Sequence, residues 1–315
     1  MNASSLPRLR GVLAPVLTPF REDLAPDAEA FVEHCRWLVA SGAGLAIFGT
    51  NSEANSLSVG ERIELTEALL AAGVPAARMM PGTGTSALPD TVRLTRHAVR
   101  AGAAGVLMLP PFFYKPLGED GLFAYYSEVI ERVGDARLAL YLYHIPALSG
   151  VPITPALIER LLRRYPNTIA GVKDSSGDWD NTRALIERFA ADGLDIFPAS
   201  EALLGAALPI GGAGCISATA NLNPAAIARL CALGGDGGAE ARAQQQAVTA
   251  IRQIFQSRPM IPAMKATLAH WRGAERWRTV RPPLTALDAA AAAQLRVELD
   301  AAGFAMPGVA PAQRA

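Results

Sequence analysis

Eight short apolar runs recur along the chain: GVLAPVLTPF (11–20), GLAIFGT (44–50), RMMPGTGT (78–85), GVLMLPP (105–111), RLALYLYHI (137–145), TIAGVKDSS (168–176), LDIFPAS (194–200) and GGAGCISATAN (211–221). They lack the apolar–polar alternation of a half-exposed strand. Each therefore reads as a strand covered on both faces, the mark of a parallel sheet. Parallel neighbours need a crossover of a dozen or more residues, usually a helix. Amphipathic segments at 27–42, 58–73 and 154–165 supply such crossovers, and Ser58, Thr154 and Asp180 stand where N-caps belong. Eight βα units in about 230 residues fit an α/β fold of the TIM (β/α)8 barrel type. A doubly wound sheet is the alternative. It needs fewer units and a GxGxxG after the first strand, and that motif is missing.

After GGDGG (234–238) the alternation stops. The segments AEARAQQQAVTAIRQIFQ, AMKATLAHWRG and TALDAAAAAQLRVELDAAG read as helices, the last rich in strong helix formers. The expected organisation is a barrel over 1–236 that carries the active site, a C-terminal helical extension over 237–303 and a loose tail over 304–315.

Composition narrows the function. Half the residues are hydrophobic, 18% are charged, and the formal net charge is zero. No basic stripe points to nucleic acid or an anionic membrane. Cys35, Cys215 and Cys231 are few, odd in number and widely spaced, with no CxxC. That argues against a structural zinc site and for reduced thiols in the cytoplasm. The first residues do not form a signal-peptide core, because Pro15 and Pro19 interrupt the apolar segment and Arg21-Glu22-Asp23 follows. No apolar stretch reaches the ~18 residues of a membrane span.

Lysine and arginine total 29, yet only Lys115, Lys173 and Lys265 are lysines. Lys173 ends the apolar run Ile169–Val172, near the C-terminal end of the sixth strand. In such barrels that end carries the chemistry. Strand parity puts Ile169, Gly171 and Lys173 on one face. If that face is inward, burial disfavours the ammonium form and leaves a neutral amine. Such an amine attacks a carbonyl carbon and forms a Schiff base. The ordinary alternative is an ion pair with Asp174 at a strand end. On the fifth strand Tyr141 and Tyr143 share a face, with Tyr143 nearer the C-terminal end, where its phenol can carry protons. His144 has the opposite parity and is expected to face the helices. The small polar residues FGTNSEANS (48–56) after strand two offer backbone N–H groups, with Thr50 and Asn51 adding side-chain donors for a carboxylate.

Together these segments resemble the dihydrodipicolinate synthase/N-acetylneuraminate lyase family of class I Schiff-base aldolases, over roughly residues 10–303. The carrying motifs are GVLAPVLTPF, GTNSEANSLS (49–58), LPPFFYKP (109–116), YHIPALSG (143–150), IAGVKDSSGD (169–178) and GGAGCISATAN. By position, the resemblance implies that Lys173 is the imine-forming lysine and Tyr143 the proton-relay tyrosine. It implies that Thr50 and Asn51 hold the α-keto carboxylate and that Ile216 lines the pyruvate pocket. It further implies pyruvate or another 2-oxo acid as the imine-forming partner, an aldehyde or sugar-acid partner, a homotetramer, and no metal or organic cofactor.

The departures bear on specificity. Asn51 stands where the family usually has Thr, and Ser52 where it usually has Gly. Phe113 occupies the position of a tyrosine that reaches the neighbouring subunit's site, and phenylalanine cannot relay a proton. Leu148 stands where dihydrodipicolinate synthases carry an arginine for the second substrate's carboxylate. Three functions therefore stay open: an aldolase or related lyase on a 2-oxo acid, dihydrodipicolinate synthase with the arginine role filled by Arg21, Arg36 or another arginine, and a non-catalytic barrel that binds a 2-oxo acid.

Overall fold

A computed structural model describes residues 8–235 and 237–309. The first seven residues, the expected domain boundary at 236 and the tail beyond 309 lie outside the described residues. Seven of the eight runs contain parallel strands: β1 (Gly11–Ala14), β2 (Gly44–Leu45), β3 (Val106–Met108), β4 (Leu140–His144), β5 (Ile169–Asp174), β6 (Asp195–Pro198) and β7 (Gly214–Ile216). β1 pairs with β2 and β7, and β3 to β6 pair in chain order.

The run 78–85 closes one gap without a regular ladder. Met80 and Gly82 donate their N–H groups to Leu45 and Ile47, and Leu107 donates to the Pro81 carbonyl. Pro81 has no N–H to give, which interrupts the ladder. Gly82 is required here, because a Cβ would lie 2.1 Å from the Phe48 carbonyl oxygen. The other gap, between β6 and β7, is bridged by the Ala213 N–H on Ile196. The ring is a (β/α)8 barrel.

The crossovers are α1 (Ala28–Ala40), α2 (Val59–Ala71), α3 (Leu88–Ala101), α4 (Glu119–Val133), the single turn α5 (Pro146–Ser149), α6 (Pro155–Arg164), α7 (Trp179–Phe189), α8 (Leu204–Ala207) and α9 (Pro224–Leu233). Ser58 forms a capping box with Glu61, and Thr154 accepts the Leu157 N–H; caps of this kind are worth about 0.5–2 kcal/mol. Before α7 the cap is Asp178 rather than Asp180. Its carboxylate accepts the Asp180 N–H, so Asp180 falls in the first helical turn.

Buried side chains form an inner barrel layer, with Leu13, Met80, Leu107, Tyr141 and Phe197, and larger layers between strands and helices. α10 (Ala239–Gln256), α11 (Met260–Arg272) and α12 (Ala289–Ala301) pack Ile251, Phe255, Leu268 and Leu299 against Leu17, Ala218 and Leu222. These last residues follow β1 and β7, so the extension sits by the C-terminal ends of the strands. The segment after α12 is not loose where it is described. Phe304 stacks edge-on against Trp271, Met306 is buried, and Trp37 donates its indole N–H to the Pro307 carbonyl. Apolar burial and that bond hold it.

Candidate active site

Lys173 stands one residue from the end of β5 and is 2% exposed. Its register partners are Tyr143 on β4 and Phe197 on β6. The expected parity holds only in part. The β4–β5 register shifts at Ala170, and Ile169 packs in the strand–helix layer while Ala170 joins the barrel interior. A bulge of this kind re-aims the side chains on either side of it. Gly171 and Lys173 keep the inward face. A Cβ at Gly171 would fall 2.1 Å from the Asp195 carbonyl oxygen and 2.8 Å from the Tyr141 ring.

The ordinary alternative for Lys173 does not form. The Asp174 carboxylate accepts from the Ser176 N–H and hydroxyl, the Asn181 amide and the Thr182 hydroxyl, at 2.5–3.1 Å. It organises the β5–α7 loop, and among the described residues no salt bridge reaches Lys173. Instead the Lys173 Nζ lies 4.1 Å from the centroid of the Tyr143 ring. The Tyr143 hydroxyl hydrogen-bonds Thr50 Oγ1 at 3.1 Å. Burial pushes the Tyr143 phenol up. The adjacent Lys173 charge and the hydrogen bond with Thr50 lead the effects that outweigh it and hold the phenol below its ordinary value. His144 turns to the helices, its Nδ1 accepting the Ile153 N–H at 3.0 Å.

Thr50 and Asn51 open a 3-10 turn, Thr50–Ser52, which β2 reaches through residues 46–49. Their own N–H groups have no hydrogen-bond partner among the described residues, as first-turn donors commonly lack one. Ser52 fits where glycine was expected. Its hydroxyl accepts the Gly49 N–H at 3.1 Å and its carbonyl accepts the Thr18 hydroxyl at 2.8 Å. The left-handed residue is the next one, Glu53, with φ 55°. Glu53 is held there by Lys265, which is fully buried, and by the Arg281 N–H at 2.9 Å. In the sequence Lys265 is one of three lysines, and no neighbouring motif assigns it a role. The scarcity that singled out Lys173 applied to it equally.

Lys173, Tyr143, Thr50, Asn51 and Ile216 all line one hollow of about 420 Å³, within the ~300–1,000 Å³ common for small-molecule sites. Leu148 also lines it and is otherwise exposed. Phe113 and Tyr114 point outward, at 73% and 75% exposure, stacked edge-on on each other. Arg21 and Arg36 do not line the hollow; Arg36 donates to the Ala72 carbonyl on the outer surface. The arginine that does is Arg252 of α10. A larger open groove of about 520 Å³ lies outside the barrel between Ile63, Arg93 and Arg132. Among the described residues it holds no lysine or tyrosine, and its His97 is paired with Glu67, so the chemistry belongs to the smaller hollow. Among the described residues no group of three or more His, Cys, Asp or Glu is arranged for a metal, and no helix is long and apolar enough to cross a membrane.

A buried lysine against a phenol, at the C-terminal mouth of a (β/α)8 barrel, defines a lyase of the Schiff-base aldolase class. Comparison with known proteins gives the family. The profile of the Dihydrodipicolinate synthetase family matches residues 8–302, and the chain belongs to that family. It is 36% identical to an uncharacterized DapA-like lyase of Chloroflexus aurantiacus, over 91% of this chain and 95% of that protein. It is 35% identical to the 4-hydroxy-tetrahydrodipicolinate synthase of Thermus thermophilus, over 87% and 90% of the two chains. The crystal structure of YagE from E. coli K12, a prophage protein of the dihydrodipicolinic acid synthase family in complex with pyruvate, superposes with a TM-score of 0.84. That pair shares 28% identity and covers 94% of this chain and 99% of the other.

Proposed function

We propose that the protein condenses pyruvate, or cleaves a product that yields it, through an imine on Lys173. The observation that carries this reading is the burial of Lys173 against Tyr143 inside the 420 Å³ hollow. The pyruvate complex of YagE supports the choice of 2-oxo acid. The unprotonated form of the Lys173 amine adds to the keto carbon. Tyr143, relayed by Thr50, delivers a proton to the departing oxygen, and water leaves as the protonated imine forms. The imine draws electrons from the adjacent methyl carbon, which gives up a proton to the Tyr143 oxygen and becomes an enamine. That carbon attacks an aldehyde carbon to form the C–C bond, and the same proton returns to the aldehyde oxygen as the new bond forms. Water then hydrolyses the imine and frees Lys173. Cleavage runs the same steps backwards. Thr50 and Asn51 hold the pyruvate carboxylate with their hydroxyl, amide and free N–H groups, and Ile216 closes the apolar side.

Leu148 offers no donor where a lysine-pathway synthase has an arginine. A charge-assisted contact of that kind is worth about 1.5–3 kcal/mol, or roughly 10–150-fold. The main reading is therefore an aldolase or related lyase with another aldehyde partner. The 4-hydroxy-tetrahydrodipicolinate synthase reaction is the second reading, favoured by the named relative. A homotetramer as the working assembly is carried over from the family, the exposed Phe113–Tyr114 pair being free for a contact between copies, and the unpaired thiols suit the cytoplasm. The test is incubation with pyruvate, borohydride reduction and digestion. A mass increment on the peptide that carries Lys173 is expected. No adduct, or one on another residue, refutes the assignment.

A further inference from the structure

Among the described residues three charged side chains line the hollow: Lys173, Asp174 and Arg252. Lys173 is consumed by the imine, and the Asp174 carboxylate is taken up by its loop donors. The remaining charge is the Arg252 guanidinium, whose side chain is 10% exposed. Its Nη1 donates to the Ser217 hydroxyl at 2.8 Å and to Glu201 at 3.4 Å. Glu201 in turn accepts from Ser217 and Thr219. Ser217 directly follows Ile216, so β7 both walls the hollow and fixes the arginine. The Nη2 group makes no hydrogen bond among the described residues. Gln256, one turn further along α10, lines the hollow beside it.

We infer that Arg252, with Gln256, binds the carboxylate of the aldehyde partner, and that this partner carries a carboxylate but no amino group beside it. The proposal rests on the imine reading above. The guanidinium is fixed before the ligand arrives, so little side-chain entropy is lost on binding. Glu201 neutralises it in the empty site, and the guanidinium's five donors leave room for a second carboxylate. An ammonium next to that carboxylate meets no free anionic partner among the described residues that line the hollow. Asp174 is fully engaged, Glu201 does not line the hollow, and Arg252 repels it. The role comes from the C-terminal extension, across the chain from Leu148, which offers only methyl groups.

The test measures kcat/KM at saturating pyruvate for three aldehydes: succinate semialdehyde, butanal of the same chain length, and aspartate semialdehyde. Succinate semialdehyde is expected to exceed butanal by about 10–150-fold and to exceed aspartate semialdehyde as well. Arg252→Gln should bring the ratio of the first two close to one, and Arg252→Lys should keep part of it. A ratio near one in the unmodified protein overturns the proposal without any variant, should Arg252→Gln fail to fold. An unchanged ratio in folded Arg252→Gln, or preference for aspartate semialdehyde, also overturns it. Borohydride trapping separates the two readings. No adduct on Lys173 refutes the imine, whereas an adduct with a flat aldehyde ratio refutes only the role of Arg252.

Discussion

Tyr143→Phe removes one oxygen and keeps the ring. The Tyr143 side chain is buried, and its hydroxyl bonds Thr50 Oγ1 at 3.1 Å. Losing that bond costs about 0.5–1.5 kcal/mol of stability. The ring still packs 4.1 Å from the Lys173 amine, so the cavity does not change shape. The loss in rate is expected to be far larger. A positioned acid–base group contributes about 10²–10⁴-fold, which is roughly 2.7–5.4 kcal/mol of barrier. The two effects differ enough to be measured apart. Time-resolved borohydride trapping of pyruvate, read on the Lys173 peptide, gives the rate, and urea denaturation gives the stability. The phenol is held below its ordinary value, so the rate of the unmodified protein should depend on pH through a limb that the Phe variant lacks. Trapping at the parent rate, with or without a stability change, refutes the relay. A stability loss of several kcal/mol would show instead that the hydroxyl is chiefly structural.

Lys265→Met should cost about 3–5 kcal/mol, because it strands the buried Glu53 carboxylate. It should also weaken pyruvate binding by loosening the Thr50–Ser52 turn. Adding Glu53→Gln should restore most of the denaturation midpoint; a neutral single variant would show that the pair does not hold the turn. Glu61 is brought down to about 2, chiefly by its hydrogen bonds from Arg281. A carboxyl lowered on folding adds stability that is complete above its unfolded value near 4.5 and is lost as pH falls toward 2. The stability gap between the parent and Glu61→Gln should therefore shrink below about pH 4.5. A gap independent of pH, in urea midpoints taken between pH 7 and 2.5, would contradict this.

The barrel was countable in the sequence because strands buried on both faces must be apolar throughout. Parity put Gly171 with Lys173, and Tyr141 with Tyr143, on shared faces; the structure turns those faces inward. Parity failed at Ile169, where the register shift depends on the fit of β5 against β4. The cap before α7 was misplaced by two residues, because Asp178 and Asp180 are both good caps and only the backbone path chooses between them. The turn after β2 could be read as a carboxylate site from its residue types. Nothing local said that Glu53 would take its strained conformation or which side chain would hold it.

Periodicity by itself gave the eight βα runs, and residue scarcity singled out Lys173; that its face turns inward and meets the Tyr143 ring is seen only in the fold. The runs are properties of short segments, and short-range geometry carries them. Tertiary structure alone decided which of the many arginines enters the hollow and that Lys265 supports the turn. Both reach the site from helices of the C-terminal extension, brought there by the packing of Ile251, Phe255 and Leu268 against the barrel. An apolar helix face specifies that it must be covered, but not which strand ends will lie under its neighbouring polar side chains.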